Sequence, residues 1–155
     1  MMIAGIDVGQ RKIVIAYKSS SEIPIFERIY RKNDRSTSIF ICKKLIEKGI
    51  NKVAFEDPDS LREDIKITPN VKRYREEMNI ILFLEEFKKA LEEFGIEAIP
   101  VNPRRTSERC PKCNKKLEIL NEDIHTLHCP FCEITFDKDE IASWNILNRG
   151  IKKIK

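Results

Sequence analysis

The sequence predicts an α/β fold, a mixed sheet flanked by helices, with a small cysteine-bearing module inserted before the last helix. Three observations predict it. Three β-rich runs follow one another at the start of the chain. Beyond them, segments of helical periodicity alternate with short apolar runs. Four cysteines then cluster in the last third, just ahead of a final helical stretch.

The elements follow in order. Met2 to Val8 is apolar and bounded by Gly9, and Lys12 to Lys18 and Glu22 to Tyr30 are the next two runs. Turn-like Val8-Gly9-Gln10 and Ser19-Ser20-Ser21 separate the three, so a meander is predicted. Ile39, Cys42, Leu45 and Ile46 then recur at helical spacing behind the candidate caps Ser36 and Ser38, and Gly49 supplies a left-handed stop. Cys42 lies on that apolar stripe, which makes it a small buried hydrophobe rather than a metal ligand. Asn51 to Glu56 reads as a short buried strand ending in Glu56-Asp57-Pro58-Asp59, where Pro58 denies the ladder a donor. A longer helix places Ile80, Phe83, Leu84, Phe87, Leu91 and Phe94 on one face and closes at Gly95. Ile96 to Val101 is a fifth strand, leading into Asn102-Pro103-Arg104-Arg105, and the final helix runs from about Asp137 to Arg149. The predicted order is β-β-β-α-β-α-β, cysteine module, α, divided as a core over 1–105, an insert over 106–136 and a last core segment over 137–155.

A chain of 155 residues accommodates one core plus a small module. No apolar run approaches the roughly 20 residues of a membrane span, and the start reads as a strand rather than a targeting segment, so a soluble, cytoplasmic protein is expected. Net charge is only +4, yet basic residues gather in Lys72-Arg73-Tyr74-Arg75, Arg104-Arg105, Lys115-Lys116 and Lys152-Lys153-Ile154-Lys155. Such clusters suit a phosphate backbone, although in a chain with 35% charged residues they also arise as plain solvated surface.

Cys110-x-x-Cys113 and Cys129-x-x-Cys132 are separated by fifteen residues. Each pair turns tightly enough to aim both thiolates at one ion, which predicts a single structural zinc in a four-sulfur shell. Paired knuckles without a signal peptide favour metal over disulfides. His125 and His128 flank the second knuckle, but four cysteines already complete the shell.

Three acids lie far apart in sequence and close in the predicted topology. Strand alternation puts Asp7 on the side of Ile3 and Gly5, and Glu56 on the side of Ala54, each at the C-terminal end of its strand. If the first and fourth strands pair mid-sheet, these two acids become neighbours. Asp139, Ala142, Ser143 and Ile146 form one stripe of the final helix, predicted to face the sheet. Singly, each acid has an ordinary explanation, and Asp137 with Glu140 reads as a capping box. Together, three converging carboxylates are costly without cations. An all-oxygen site suits Mg²⁺ or Mn²⁺, and a pair of such ions activates water and stabilises a leaving oxygen in phosphodiester cleavage.

Ala4-Gly5-Ile6-Asp7-Val8-Gly9, Val53-Ala54-Phe55-Glu56-Asp57, Thr106 to Cys113 and His128 to Gly150 resemble the RuvC-like nuclease core of the TnpB family, transposon-encoded RNA-guided nucleases. The resemblance is most specific in the cysteine ribbon followed by Phe136-Asp137-Lys138-Asp139 and Ala142-Ser143-Trp144-Asn145-Ile146-Leu147-Asn148-Arg149-Gly150. It implies an RNase H-like fold, Asp7, Glu56 and Asp139 as catalytic metal-binding acids, two Mg²⁺ or Mn²⁺ ions, and zinc in the ribbon. It further implies an endonuclease acting on nucleic acid, with DNA the leading substrate. Junction resolution by a homodimer, RNase H-type cleavage of RNA, and a catalytically silent zinc-ribbon binding or regulatory protein are the alternatives. Family members are usually more than twice as long and carry an amino-terminal region that binds guide RNA. A reduced form, core plus ribbon, is therefore expected, with a guide RNA or partner protein supplied in trans. Arg104, Arg105, Arg109, Lys72, Arg73 and Arg75 are the candidate nucleic-acid contacts, and Trp144 is read as core. Asn114 and Glu133 stand where the family usually has glycine after each knuckle, a departure expected either to loosen the ribbon turns or to alter activity.

Overall fold

The computed structural model describes residues 3–67, 70–120 and 122–155. Strands β1 (Ile3–Val8), β2 (Lys12–Tyr17) and β3 (Ile25–Tyr30) form the predicted antiparallel meander. The expected first strand begins one residue earlier, at Met2, which lies outside the described residues. Strand β4 (Lys52–Glu56) lies parallel to β1, and β5 (Glu97–Val101) parallel to β4, giving the sheet order β3-β2-β1-β4-β5. The first and fourth strands do pair, with Gly5 opposite Ala54 and Ile6 opposite Phe55. Asp7 and Glu56 follow one step further on.

Each strand divides its residues between two helical layers, as a two-residue period requires. Ala4, Ile6, Val8, Ile13, Ile15, Val53 and Phe55 face α1 (Asp34–Glu47), α2 (Pro58–Ile65) and α3 (Val71–Glu93) across the main core. There Phe83 and Phe87 stack at 6.1 Å and Phe55 meets Phe87 edge-on at 6.0 Å. Ile3, Ala16, Ala54, Ile99 and Val101 face the last helix, α4 (Lys138–Lys153), against Ile146 and Leu147. A three-stranded sheet, β6 (Glu118–Leu120), β7 (Asp123–Cys129) and β8 (Ile134–Asp137), builds the cysteine module and runs directly into α4.

Local chemistry moves several expected boundaries. The cap of α1 is Asn33, whose side chain accepts from Ser36 N–H at 3.1 Å, rather than Ser36 or Ser38. Ile46 is exposed, and Ile41 takes its place beside Cys42 and Leu45 in the core. Cys42 is fully buried as expected, and burial pushes its thiol up to about 11. Helix α2 was not anticipated. Its signal stood in Asp57-Pro58: Asp57 accepts from Asp59 N–H at 3.1 Å, and Pro58 occupies the first turn, where no donor is needed. On α3 the predicted stripe is buried at Phe83, Leu84, Phe87 and Leu91, while Ile80 and Phe94 pack at its margin.

Candidate functional site

Helix α4 can lie directly on the sheet because β1 offers it a glycine. A Cβ at Gly5 would sit 2.5 Å from Leu147 N and 2.6 Å from Ser143 O, so any side chain there would drive the helix away. Gly150 does the same from the helix side, where a Cβ would come 2.5 Å from the Ala54 Cβ. Ala142, Ser143 and Ile146 are buried against the sheet, as their stripe predicts, and Asp139 emerges at its open end.

The start of α4 is set by Asp137. Its side chain accepts from Asp139 N–H at 3.2 Å while Glu140 accepts from Asp137 N–H at 3.1 Å, the reciprocal capping box expected from the sequence. Arg28 of β3 grips this turn, 2.7 Å from Asp137 Oδ2 and 4.0 Å from Glu140. Lys12 of β2 lies 3.0 Å from Asp139 Oδ2. Beneath the turn, one face of the sheet therefore presents acids from β4 and β1 and cations from β2 and β3.

Asp7, Glu56 and Asp139 line one cavity of about 540 Å³, together with Arg73, Arg104 and Arg105. Burial holds the Asp7 carboxyl well above the usual carboxylate range. Repulsion from Glu56 and Asp139 and a hydrogen bond shared with Asp139 add to this, against the opposing charge of Lys138. Burial, then repulsion from Glu77, pushes Glu56 up to about 7, against the pull of Arg149. Among the described residues the three carboxylates share this cavity without bringing their oxygens within 4.8 Å of one another as a group. The donor set is oxygen only, partly buried and destabilised by its own charge, which fits a hard divalent cation.

Asp64, Glu77 and Lys138 also line the cavity and escaped the sequence reading. Helical periodicity marks Asp64 and Glu77 as polar-face residues without telling which polar face borders the acids. Of the six basic residues singled out in the sequence, Arg73, Arg104 and Arg105 line the cavity, whereas Lys72, Arg75 and Arg109 do not. A cavity of similar size, about 530 Å³ between β3 and α1, contains one acid, Glu27, tied to Lys44 at 2.6 Å.

The polar residues of α4 hold the loop that carries the arginines. Asn145 donates to Thr106 O at 2.7 Å and Arg109 O at 2.8 Å, Asn148 to Pro111 O at 3.0 Å, and Arg149 to Asn102 O at 2.5 Å. Trp144 is buried, as expected, against Phe26 at 6.3 Å and Phe136 at 5.6 Å. One helix thus locates an acid, two arginines and the entry to the ribbon.

In the ribbon the four cysteine sulfurs lie within 4.8 Å of one another, with Cys110–Cys132 at 3.9 Å and Cys113–Cys129 at 3.6 Å. A tetrahedral zinc with Zn–S of about 2.3 Å implies sulfurs roughly 3.8 Å apart. All four thiols are free, and this arrangement fits zinc. Lys112 N–H and Cys132 N–H point at the Cys110 and Cys129 sulfurs, each at 3.4 Å. Asn114 (φ 64°) and Glu133 (φ 56°) take the left-handed conformation and donate to Cys110 O and Cys129 O, each at 2.8 Å. His128 is held by Thr135 Oγ1 at 2.8 Å, and neither histidine joins the sulfur group.

Fold and site together define an α/β protein with an acid-lined cavity and a four-cysteine module whose geometry fits zinc. Residues 83–146 match the family described as "Cas12f1-like, TNB domain". A TnpB-like protein of Methanocaldococcus jannaschii is 31% identical over 116 residues, 71% of this chain and 40% of that protein. A putative transposase of the same organism is 31% identical over 74 residues, 43% of this chain and 68% of that protein. The cryo-EM structure of the Cas12f1–sgRNA–target DNA complex shares the fold over 94% of this chain and 49% of that chain, with a TM-score of 0.66 at 19% identity. The chain belongs to the TnpB family. It spans 40% of the length of the TnpB-like relative and about half that of the Cas12f1 chain.

Proposed function

We propose that this chain is an RNase H-like, RuvC-like nuclease core that hydrolyses phosphodiester bonds in DNA. In this reading residues 1–105 and 137–155 make the core and 106–136 the zinc ribbon. The observation that carries it is the meeting of Asp7, Glu56 and Asp139, from three distant segments, in one cavity with Arg73, Arg104 and Arg105. Asp7, Glu56 and Asp139 would hold Mg²⁺ or Mn²⁺, which supplies activation of water and charge stabilisation at the reacting phosphate. The chain's own residues do the rest. The acids offer hard oxygen ligands, and their mutual repulsion favours cation uptake. Arg73, Arg104 and Arg105 neutralise phosphates and orient the strand. Asn145, Asn148 and Arg149 keep the arginine-bearing loop in place.

The solved Cas12f1 relative was captured with sgRNA and target DNA. This supports nucleic acid as partner and makes a guide RNA, acting with this chain or with a larger assembly, part of the proposal. The test is Mg²⁺- or Mn²⁺-dependent cleavage of single-stranded, duplex, branched and RNA–DNA hybrid substrates, with and without guide RNA, beside Asp7→Asn and Asp139→Asn proteins. Cleavage of DNA that is abolished in both variants is expected, whereas full activity in either variant would sink the mechanism.

A further inference from the structure

The charges along the sheet face beneath α4 include one that the nuclease reading does not use. Register sets Val14 opposite Asp7, and the two-residue period of β2 returns Lys12 to the same face, nearer the turn. Gly9 keeps that turn tight, its N–H donating to Lys12 O at 2.9 Å. Lys12 Nζ thereby arrives 3.0 Å from Asp139 Oδ2, with the two side chains only 35% and 31% exposed. The Asp139 carboxyl group also shares a hydrogen bond with Asp7. It is therefore engaged twice within the protein itself.

A divalent cation that takes Asp139 as a ligand must compete with what already holds it. The ammonium occupies an oxygen the cation needs and repels the cation as well. Arg28, the cation next to Lys12 on this face, is bound to Asp137 and Glu140, and among the described residues Lys12 is the cation in ion-pair contact with Asp139. We infer that Lys12 is an internal counter-cation of the acid site, whose ammonium holds Asp139 in the free protein and sets by competition how tightly the site takes a divalent ion. The inference rests on the proposed reading of Asp139 as a metal ligand.

Mn²⁺ titration of the zinc-loaded whole chain, followed by the paramagnetic resonance of free Mn²⁺, tests it in wild type, Lys12→Met, Lys12→Arg and Asp139→Asn. Lys12 sits at the surface end of its strand, so the variants should fold, and thermal melts of each verify this. Lys12→Met is expected to bind Mn²⁺ about two- to five-fold more tightly, the range set by a partly exposed ion pair. Lys12→Arg, which restores the charge, should return affinity to the wild-type level, and the gap between wild type and Lys12→Met should narrow as salt screens the pair. Equal or weaker binding in Lys12→Met overturns the inference while leaving the metal site standing. Absence of Asp139-dependent Mn²⁺ binding in both wild type and Lys12→Met overturns the functional reading and the inference with it.

Discussion

Glu56 carries a measurable consequence of its burial. Its carboxyl is pushed up to about 7 from an ordinary value of 4.5, so the folded chain holds this proton more tightly than the unfolded chain does. The stabilisation is complete at low pH and is lost as pH rises from about 4.5 through about 7. In the presence of EDTA, Glu56 should contribute a fall of up to ~3 kcal/mol across that window, and Glu56→Gln should remove that share while leaving the part that belongs to Asp7, whose carboxyl is also held above its ordinary range. Denaturant titrations at both ends of the window measure this. A slope unchanged in Glu56→Gln would show that the carboxylate ionises freely. Glu133 carries a different cost, a side chain at φ 56°, where L residues are strained. Glu133→Gly should stabilise the zinc-bound protein by about 1 kcal/mol, read as a raised denaturation midpoint, because glycine takes that conformation without a Cβ clash.

Helix α4 concentrates most of what positions the site. Its contact with β1 allows no Cβ at Gly5, so Gly5→Ala should destabilise by about 1–3 kcal/mol or more and weaken cation binding together with stability. Asn145 is buried and satisfies two carbonyls of the arginine loop. Asn145→Ala strands both, at a cost of about 1–3 kcal/mol. It should also reduce DNA affinity through Arg104 and Arg105, and unchanged DNA binding would show that the loop keeps its place without this clamp. The helix, its capping box and its sheet-facing stripe were legible because periodicity and Asp137-x-x-Glu140 are local signals. The carbonyl partners of Asn145, Asn148 and Arg149 were not, because they lie 36 to 47 residues away and depend on how the loop folds back. Helix α2 was missed for another reason. Its apolar stripe, Pro58, Leu61 and Ile65, spans only eight residues, too short a run to stand out, and in sequence Asp57-Pro58 marks the end of a strand as readily as the start of a helix.

The ribbon and the core meet through aromatic packing, Phe136 of β8 lying 5.8 Å from Phe26 of β3 and 5.6 Å from Trp144. Zinc removal should therefore be felt beyond the cysteines. Chelation, or Cys129→Ser, is expected to shift Trp144 fluorescence to the red while far-ultraviolet dichroism keeps most of the core helix signal. One zinc per chain in the native protein is the matching stoichiometry. A metal-free protein with unchanged Trp144 emission would remove zinc from the account of this module.

By itself the sequence determined the strand meander, the helix stripes, the four-cysteine module and the three acids that stand at strand ends and a helix start. These follow from periodicity, from ligand spacing and from short-range capping, all of which act over a few residues. Only the tertiary structure decided which charges face one another. It brought Glu77 and Arg149 within electrostatic reach of Glu56, set Lys12 on Asp139, and brought Arg73 into the lining of the cavity with Arg104 and Arg105 but not Lys72, Arg75 or Arg109. Electrostatic partners are chosen by distance in space, and that distance is set by register, by the approach of α4 at Gly5 and by loop closure rather than by proximity along the chain.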